Sequence, residues 1–194
     1  MKILAFAGFL GSGKTTVIKS LITTMIKSGL KVAIIENEIG ATSIDDKILQ
    51  DADIEMTTLT GGCVCCSISG SLIVAAKKIE EQVNPDWLIV ELTGLAYMSG
   101  IKDLFRDYAQ QFPLYSATVV DISRWLKLLK ITKPLLADQV SCADTVIVNK
   151  VDVYVPTESD LATISELTEA PIILTSAQNA GKELWDEICE KIGC

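Results

Sequence analysis

The first residues that could do chemistry lie in a glycine-rich turn near the start of the chain. The turn reads Gly8-Phe9-Leu10-Gly11-Ser12-Gly13-Lys14-Thr15, the pattern G-x-x-x-x-G-K-T, between an apolar run and a segment with helical periodicity. In that context the pattern predicts a loop whose backbone N–H groups surround a phosphate chain at a helix N-terminus. The alternative is a plain turn that joins a strand to a helix. The pattern therefore favours a site for a nucleoside triphosphate.

Two side chains of this loop carry its chemistry. Lys14 is expected to reach the β- and γ-phosphates, and the Thr15 hydroxyl to hold a Mg²⁺ ion. The neighbouring backbone groups complete the phosphate site. The residues predicted to contact the nucleotide here are Gly8, Gly11, Ser12, Gly13, Lys14, Thr15 and Thr16.

Acidic residues follow the next two predicted strands, where ligands of a parallel sheet bind. Glu36 and Glu38 flank an asparagine in a predicted switch loop and could serve a metal or orient a water. A solvated acidic loop is the alternative. Glu91 is expected to support the Mg²⁺, and the Gly94 N–H to contact the γ-phosphate. Glu38 and Asp45 are the candidates for the base that activates the attacking water.

A guanine-binding motif follows the fifth predicted strand. Asn149-Lys150-Val151-Asp152 has the pattern N-K-x-D, in which the carboxylate accepts hydrogen bonds from the guanine N1–H and 2-amino groups. Adenine lacks both donors and would leave the carboxylate unpaired. Ser176 and Ala177, after the sixth strand, are expected to offer backbone to the guanine O6. The motif favours GTP over ATP, with an ordinary polar turn as the alternative.

Three cysteines within four positions form a second candidate site, which nucleotide binding does not require. Cys63, Cys65 and Cys66 follow two glycines and precede a predicted helix, whose positive end favours ionised thiols. Three thiolates and one further ligand suit tetrahedral Zn²⁺, and also Co²⁺ or Cu⁺. The chain has no histidine, so the fourth ligand is a carboxylate, a water, another cysteine or a side chain of a partner, and Glu36 and Glu38 are the nearest candidates.

Other interpretations of the cysteines stay open. They could be buried packing residues, a redox pair of Cys63 and Cys66, or part of an iron–sulfur cluster completed by a fourth thiolate. Cys142 and Cys189 lack metal-ligand spacing and are expected to pack in the core, and Cys194 is expected to be a free terminal thiol.

Apolar runs alternate with helical patterns along the whole chain, which predicts an α/β fold. We expect a doubly wound, mostly parallel sheet with helices on both faces, in one domain covering residues 1–194. The hydrophobic content of 49% suits strands that are buried on both faces. The predicted strands are Lys2–Gly8, Lys31–Glu36, Trp87–Glu91, Tyr115–Asp121, Thr145–Asn149 and Ile172–Thr175. The predicted helices cover 14–28, 67–83, 101–111, 122–130, 135–142, 157–169 and 180–192.

Charge and hydrophobicity argue against several classes of function. A formal net charge of -8 argues against a nucleic-acid binder, which usually carries a basic patch. No stretch is long and apolar enough to span a bilayer, and the short N-terminal apolar run has no cleavage site for a signal peptidase. We therefore expect a cytoplasmic protein without a membrane or nucleic-acid partner. Its six cysteines should stay reduced and serve as ligands or packing residues.

Taken together, five segments resemble the CobW-like family of metal-handling P-loop GTPases, whose relatives serve urease, hydrogenase and methylmalonyl-CoA mutase maturation. The segments are Gly8–Thr15, Glu36–Gly40, Gly62–Cys66, Glu91–Gly94 and Asn149–Asp152. The resemblance implies a SIMIBI-like P-loop fold that hydrolyses GTP. It also implies a metallochaperone, in which Zn²⁺ or Co²⁺ binds together with GTP and hydrolysis releases the metal to a client metalloprotein.

The resemblance also assigns roles to individual residues. Lys14, Thr15 and Glu91 handle phosphate and Mg²⁺, the three clustered cysteines hold the transferred metal, and Asn149 and Asp152 recognise guanine. With no arginine in an obvious finger position, intrinsic hydrolysis is expected to be slow and to accelerate on homodimerisation or client binding.

The chain departs from the family pattern in three ways. Ser69 stands where a basic residue is common, and Met98 where a proline is common. We also expect the usual C-terminal domain, often rich in histidine, to be missing after Cys194, so that a separate partner such as a corrinoid enzyme takes its place. Two rival functions therefore stay open. One is a maturation or reactivation GTPase for a cobalamin-dependent enzyme, and the other is a nucleotide-gated metal buffer without significant turnover.

Overall fold

A computed structural model describes residues 1–36, 55–58, 68–177 and 181–193. Within these ranges seven strands form one parallel sheet, in the order β3-β2-β4-β1-β5-β6-β7. The strands are β1 (Lys2–Ala7), β2 (Val32–Glu36), β3 (Glu55–Thr58), β4 (Trp87–Glu91), β5 (Leu114–Asp121), β6 (Thr145–Asn149) and β7 (Ile172–Leu174). The helices are α1 (Lys14–Lys27), α2 (Ile68–Gln82), α3 (Met98–Tyr108), α4 (Trp125–Ser141), α5 (Glu158–Ser165) and α6 (Lys182–Ile192).

Alternate residues of the strands face opposite sides of the sheet, and helices cover both. Leu4 and Phe6 of β1 point to the side that α1 and α6 cover. Ile3 and Ala5 point to the other side, where α2 and α3 pack. Helices α4 and α5 extend this second layer over β5 and β6. The predicted doubly wound α/β fold is therefore confirmed, and none of the helices in the described ranges is long and apolar enough to cross a membrane.

The chain reverses its winding direction at β1, and this positions the candidate site. Strand β1 lies between β4 and β5. The connection from β1 leads to β2 on one side, whereas the connection from β4 leads back across β1 to β5. In such sheets a crevice opens beyond the carboxyl ends of the strands at the point of reversal. The glycine-rich turn follows β1 directly and so lies at this crevice.

One strand was missed, and three of the predicted helices need correction. Strand β3 was missed because its sequence, Glu-Met-Thr-Thr, offers neither an apolar run nor a clear alternation. The helix predicted at 101–111 begins earlier, at Met98, and ends at Tyr108. The helices predicted at 122–130 and 135–142 are two halves of α4, which is kinked at Thr132 just before Pro134. Proline lacks the N–H that a continuous helix would need there. The other element ends shift slightly, the most at α5, which ends at Ser165.

Helix α6 is fixed to the sheet by a pair of tryptophans, which gives a first prediction. Trp185 meets Trp87 edge-on, with ring centroids 5.6 Å apart and an interplanar angle of 86°. Trp185→Ala should lower the free energy of unfolding by about 3–5 kcal/mol, because a large buried ring is lost. Urea denaturation followed by circular dichroism measures this loss. The matched control is Tyr108→Ala, whose ring is 69% exposed. Equal losses for the two variants would contradict the docking of α6.

Candidate nucleotide-binding site

The phosphate loop, defined here as residues 8–15, wraps tightly from β1 into α1. Gly13 has φ 95° at the start of α1, and a Cβ there would lie 2.3 Å from Asn149 Nδ2, so only glycine fits. Lys14 is buried, and its Nζ donates to the Gly8 carbonyl at 2.7 Å. The loop therefore folds around the ammonium group that is predicted to meet the phosphates.

The two side chains predicted to bind Mg²⁺ lie together where this loop ends. The Thr15 Oγ1 hydroxyl donates to Glu91 Oε1 at 2.7 Å. Strand β4 ends at Glu91, whose Cα pairs in register with that of Phe6 on β1. A hydroxyl and a carboxylate are hard oxygen ligands of the kind that Mg²⁺ prefers. The donor set fits the predicted ion, and the assignment of both residues as its ligands stays a prediction.

Glu36 lies one strand further from the phosphate loop. It ends β2, is 4% exposed, and its Cα pairs in register with that of Glu91. Two carboxylates therefore lie at the same level on neighbouring strands. Glu38 and the three clustered cysteines lie outside the described residues, so the predicted transition-metal site stays a prediction. In the described part of the chain no group of three or more Cys, Asp and Glu side chains could hold a metal ion.

The turn after β4 lies flat against the phosphate loop. A Cβ on Gly94 would lie 2.6 Å from the Leu10 nitrogen, so this approach requires glycine. The turn is held from below by Gln139 of α4, whose Nε2 donates to the Ala96 carbonyl at 2.8 Å. Gln139 was not among the predicted site residues, because a lone glutamine in a helical pattern carries no signal. The contact puts the predicted γ-phosphate sensor within reach of the loop.

Asn149 joins the two halves of the predicted nucleotide site. It is buried, its Nδ2 donates to the Ser12 carbonyl at 2.8 Å, and its Oδ1 accepts from the Ala177 N–H at 2.8 Å. This side chain thus braces the phosphate loop against the turn that contains Ser176. Asp152 lies two residues beyond the neighbouring Lys150 and is exposed. Guanine recognition by the N-K-x-D motif stays a prediction. The exposed Asp152 carboxylate is the group of the motif that a nucleotide base could reach.

A buried carboxylate that the sequence analysis missed organises the same loop. Asp121 ends β5, and its side chain is 1% exposed. Its Oδ2 accepts from Lys150 Nζ at 2.7 Å and from Arg124 Nε at 2.6 Å. Lys150 Nζ also donates to the Gly11 carbonyl at 2.8 Å, and Arg124 Nη2 to the Leu10 carbonyl at 2.9 Å. Two cations fixed by one carboxylate therefore hold two consecutive carbonyls of the phosphate loop.

A signal for Asp121 was present, since an acidic residue at the carboxyl end of a strand beside β1 is placed to reach the crevice. Nothing in the sequence indicated that Arg124 lies at the loop. Burial by itself raises the pKa of Asp121, but the hydrogen bonds from Lys150, Ser123 and Arg124 together outweigh burial. The pKa of this carboxyl is therefore lowered from its ordinary value.

The remaining predicted contacts are an exposed Thr16 and a half-buried Ser176.

Comparison with known proteins gives one matching family model and several related proteins. Residues 2–171 match the family model of the CobW/HypB/UreG nucleotide-binding domain. The zinc chaperone YjiA of Escherichia coli (strain K12) is 37% identical over 99 residues, which are 48% of this chain and 30% of YjiA. The zinc-regulated GTPase metalloprotein activator 1 of Dictyostelium discoideum is 26% identical over 194 residues, covering 78% of this chain and 40% of that protein.

A solved structure agrees with the fold. HypB from Helicobacter pylori in complex with nickel aligns with a TM-score of 0.69 and 19% identity, over 98% of this chain and 86% of that one. At this level of identity the likeness concerns the fold alone. The chain spans less than half the length of the two curated relatives described above, whose coverage is 30% and 40%.

The lowered pKa of Asp121 gives a prediction about acid stability. Asp121→Asn should lower the free energy of unfolding at neutral pH by about 1–3 kcal/mol, because two cations lose their shared carboxylate. A carboxyl with a lowered folded pKa stabilises the fold above its unfolded pKa, about 3.9. That stabilisation disappears as pH falls through the folded value. The loss in Asp121→Asn should therefore shrink as the pH is lowered below about 4.

Urea denaturation of both proteins from neutral to strongly acidic pH measures the effect. The control is Asp152→Asn, which removes an exposed carboxylate from the turn after β6. A penalty for Asp121→Asn that is independent of pH would show that the carboxylate charge is not what holds the two cations.

Proposed function

The chain belongs to the CobW/HypB/UreG nucleotide-binding domain family, and we propose that it binds GTP with Mg²⁺, hydrolyses it slowly and couples its nucleotide state to delivery of Zn²⁺. One observation carries the proposal. Thr15 is hydrogen-bonded to Glu91 at 2.7 Å, and Glu91 lies in register with Glu36 on β2, the neighbour of the strand β3 that precedes the cysteines. A residue proposed for Mg²⁺ and a residue proposed for the transition metal therefore lie on adjacent strands.

The phosphate half of the proposal rests on charge. The Lys14 ammonium group lies within the loop, where it donates to the Gly8 carbonyl, and its proposed role is to neutralise charge that develops on the γ-phosphate during hydrolysis. Thr15 and Glu91 would hold Mg²⁺, which would supply further positive charge at the phosphates. The Gly94 N–H is the proposed contact to the γ-phosphate. Glu38 is the proposed residue for orienting the attacking water.

The contacts of the nearest arginine support the proposal of slow turnover. Arg124 lies at the phosphate loop, but its Nε and Nη2 donate to Asp121 and to the Leu10 carbonyl. In this arrangement Arg124 supports the shape of the loop and does not extend toward the predicted γ-phosphate. We therefore propose that acceleration comes from a partner, either a second copy of the chain or a client protein.

The metal half rests on how the cysteine segment is anchored. Strand β3 ends at Thr58, whose Cα pairs in register with that of Glu36, and α2 begins at Ile68. Cys63 follows Thr58 by five residues, and five residues of chain span at most about 18 Å. These two anchors are close in the sequence to the cysteines, and the anchor at Thr58 lies beside Glu36. They support a site of three thiolates completed by Glu36 or by the glutamate two residues later.

Coupling requires that both ligands favour the same conformation. Strands β2 and β4 are direct neighbours, and Glu36 pairs with Glu91. We therefore propose that a γ-phosphate bound near Glu91 favours the same conformation of the chain after Glu36 that metal binding favours. Zn²⁺ is proposed over Co²⁺ because two relatives are named for zinc. Thiolate ligands need a reducing compartment, so we propose a cytoplasmic site of action and a client metalloprotein.

Guanine recognition through Asp152 is tested by Asp152→Asn. The substitution should weaken GTP binding by about 10- to 150-fold, because a charged acceptor for two guanine donors is lost. Equilibrium binding of fluorescent GTP measures the change. Asp186→Asn, an exposed carboxylate on α6, is the matched control and should bind GTP like the wild type. Unchanged GTP affinity in Asp152→Asn would remove the basis for guanine specificity.

The carrier function is tested by competition for metal with a chromophoric chelator. Reduced protein is titrated with Zn²⁺, and separately with Co²⁺, in the presence of GTP–Mg²⁺, of GDP–Mg²⁺ or of no nucleotide. We expect binding to be about 5- to 150-fold tighter with GTP than with GDP. Cys65→Ala should abolish this difference. Cys142→Ala, a free cysteine outside the motif, should leave the difference unchanged.

The possible outcomes separate the proposal from its rivals. Equal metal affinity in all nucleotide states, or affinity that Cys65→Ala does not change, would contradict a carrier. Specific binding to a corrinoid enzyme would then favour a maturation GTPase. Nucleotide-dependent metal binding without single-turnover GTP hydrolysis would instead identify a metal buffer.

A further inference from the structure

A small cavity lies beneath the phosphate loop. Its volume is about 10 Å³, and one ordered water needs roughly 10–15 Å³. Its polar lining includes Ser12 from the loop, Thr118 and Asp121 from β5, and Gln139 from α4. The cavity therefore has the size and the polar partners that a single buried water requires.

Two of these lining side chains end in orphaned oxygens. Ser12 Oγ and Gln139 Oε1 are buried and have no hydrogen-bond partner among the residues that the structure describes. Their residues are 1% and 0% exposed, so bulk water does not reach them. Buried polar atoms in folded proteins are nearly always satisfied, by protein or by ordered water. One water in the cavity would satisfy both oxygens.

The orientation of the Gln139 amide is settled by its surroundings. Its Nε2 lies 2.8 Å from the Ala96 carbonyl and 3.4 Å from the Gly94 carbonyl, and carbonyls can only accept. The amide nitrogen must therefore face the turn after β4, which leaves Oε1 for the cavity. The Gln139 backbone is also anchored, because its carbonyl accepts from Thr118 Oγ1 at 2.5 Å.

We propose that one buried water bridges Gln139 Oε1 and Ser12 Oγ, and that Gln139 is a positioning residue which links the Gly94 turn to the phosphate loop. The water donates one hydrogen to Gln139 Oε1 and makes a second hydrogen bond with the Ser12 hydroxyl. Together with the hydrogen bond from Gln139 to the Ala96 carbonyl, these hydrogen bonds fix the distance between the Gly94 turn and the phosphate loop. The Gly94 N–H is thereby held where a γ-phosphate would meet it.

The tight fit of the turn makes this positioning consequential. The backbone of Gly94 approaches the Leu10 nitrogen so closely that it leaves no room for a Cβ. A small displacement of the turn therefore changes the distance from the Gly94 N–H to any group in the loop. The kinetic consequence rests on the proposed GTPase function, whereas the water bridge does not.

The bridge itself is tested by a double-mutant cycle on stability. Ser12→Ala and Gln139→Met each remove one partner of the water, and methionine keeps the length of the glutamine side chain. Each variant changes the equilibrium constant for unfolding by some factor. If the bridge exists, the factor for the double variant should differ from the product of the two single-variant factors by about 3-fold or more. The control pairs Ser12→Ala with Leu135→Ala, a buried residue of α4 that does not line the cavity.

Two results would overturn the bridge. One is independence of Ser12 and Gln139 in the cycle, as expected for the control pair with Leu135. The other is a high-resolution crystal structure with no water density within hydrogen-bonding distance of both oxygens. Neither result depends on GTP hydrolysis.

The positioning role is tested by steady-state kinetics of Gln139→Met. We expect kcat to fall about 10-fold while the dissociation constant for GDP changes less than about 3-fold, because only the γ-phosphate contact is displaced. Leu135→Ala loses packing on the same helix and should keep the wild-type kcat. An unchanged kcat in Gln139→Met would overturn the positioning role. Failure of the wild type to hydrolyse GTP would contradict the proposed function and leave the stability cycle to decide on the water.

Discussion

The shape of the phosphate loop depends on one buried carboxylate. Asp121 accepts hydrogen bonds from both Lys150 and Arg124. Lys150 also donates to the Gly11 carbonyl, and Arg124 also donates to the Leu10 carbonyl. A loop rich in glycine has a large conformational entropy to lose on folding. Fixing two adjacent carbonyls by hydrogen bonds from Arg124 and Lys150 offsets part of that cost. The remaining parts of the site are arranged around this fixed loop.

Three further elements meet the loop from different directions. Asn149 binds it from the end of β6, the Gly94 turn lies against it from β4, and Thr15 links it to Glu91. These contacts come from strands on both sides of β1, the point where the winding of the sheet reverses. The side toward β2 carries Glu36 next to β3, the strand that precedes the cysteines, and this adjacency is the physical basis for the proposed coupling between nucleotide and metal.

Much of the fold was predictable from the sequence, because helix and strand periodicity are properties of contiguous residues. Six of the seven strands within the described ranges were predicted, each from an apolar run such as Trp87–Glu91. The edge strand β3 was not, because four residues with little apolar character carry too weak a signal. The kink in α4 divided one helix into two predictions, since Pro134 looks like a helix end when the packing of the two halves is unknown.

For the candidate site, the sequence alone was enough to predict the chemistry, because the phosphate loop, the Glu91-Leu92-Thr93-Gly94 turn, the N-K-x-D motif and the cysteine cluster are each short local patterns. The tertiary structure alone decided which of the described residues meet. The Ser12–Asn149 bond joins residues 137 positions apart, and the Gln139–Ala96 bond joins residues 43 apart. Such contacts depend on strand order and helix packing, which no local pattern encodes. A buried glutamine or aspartate acquires its role only from the groups that the fold brings to it.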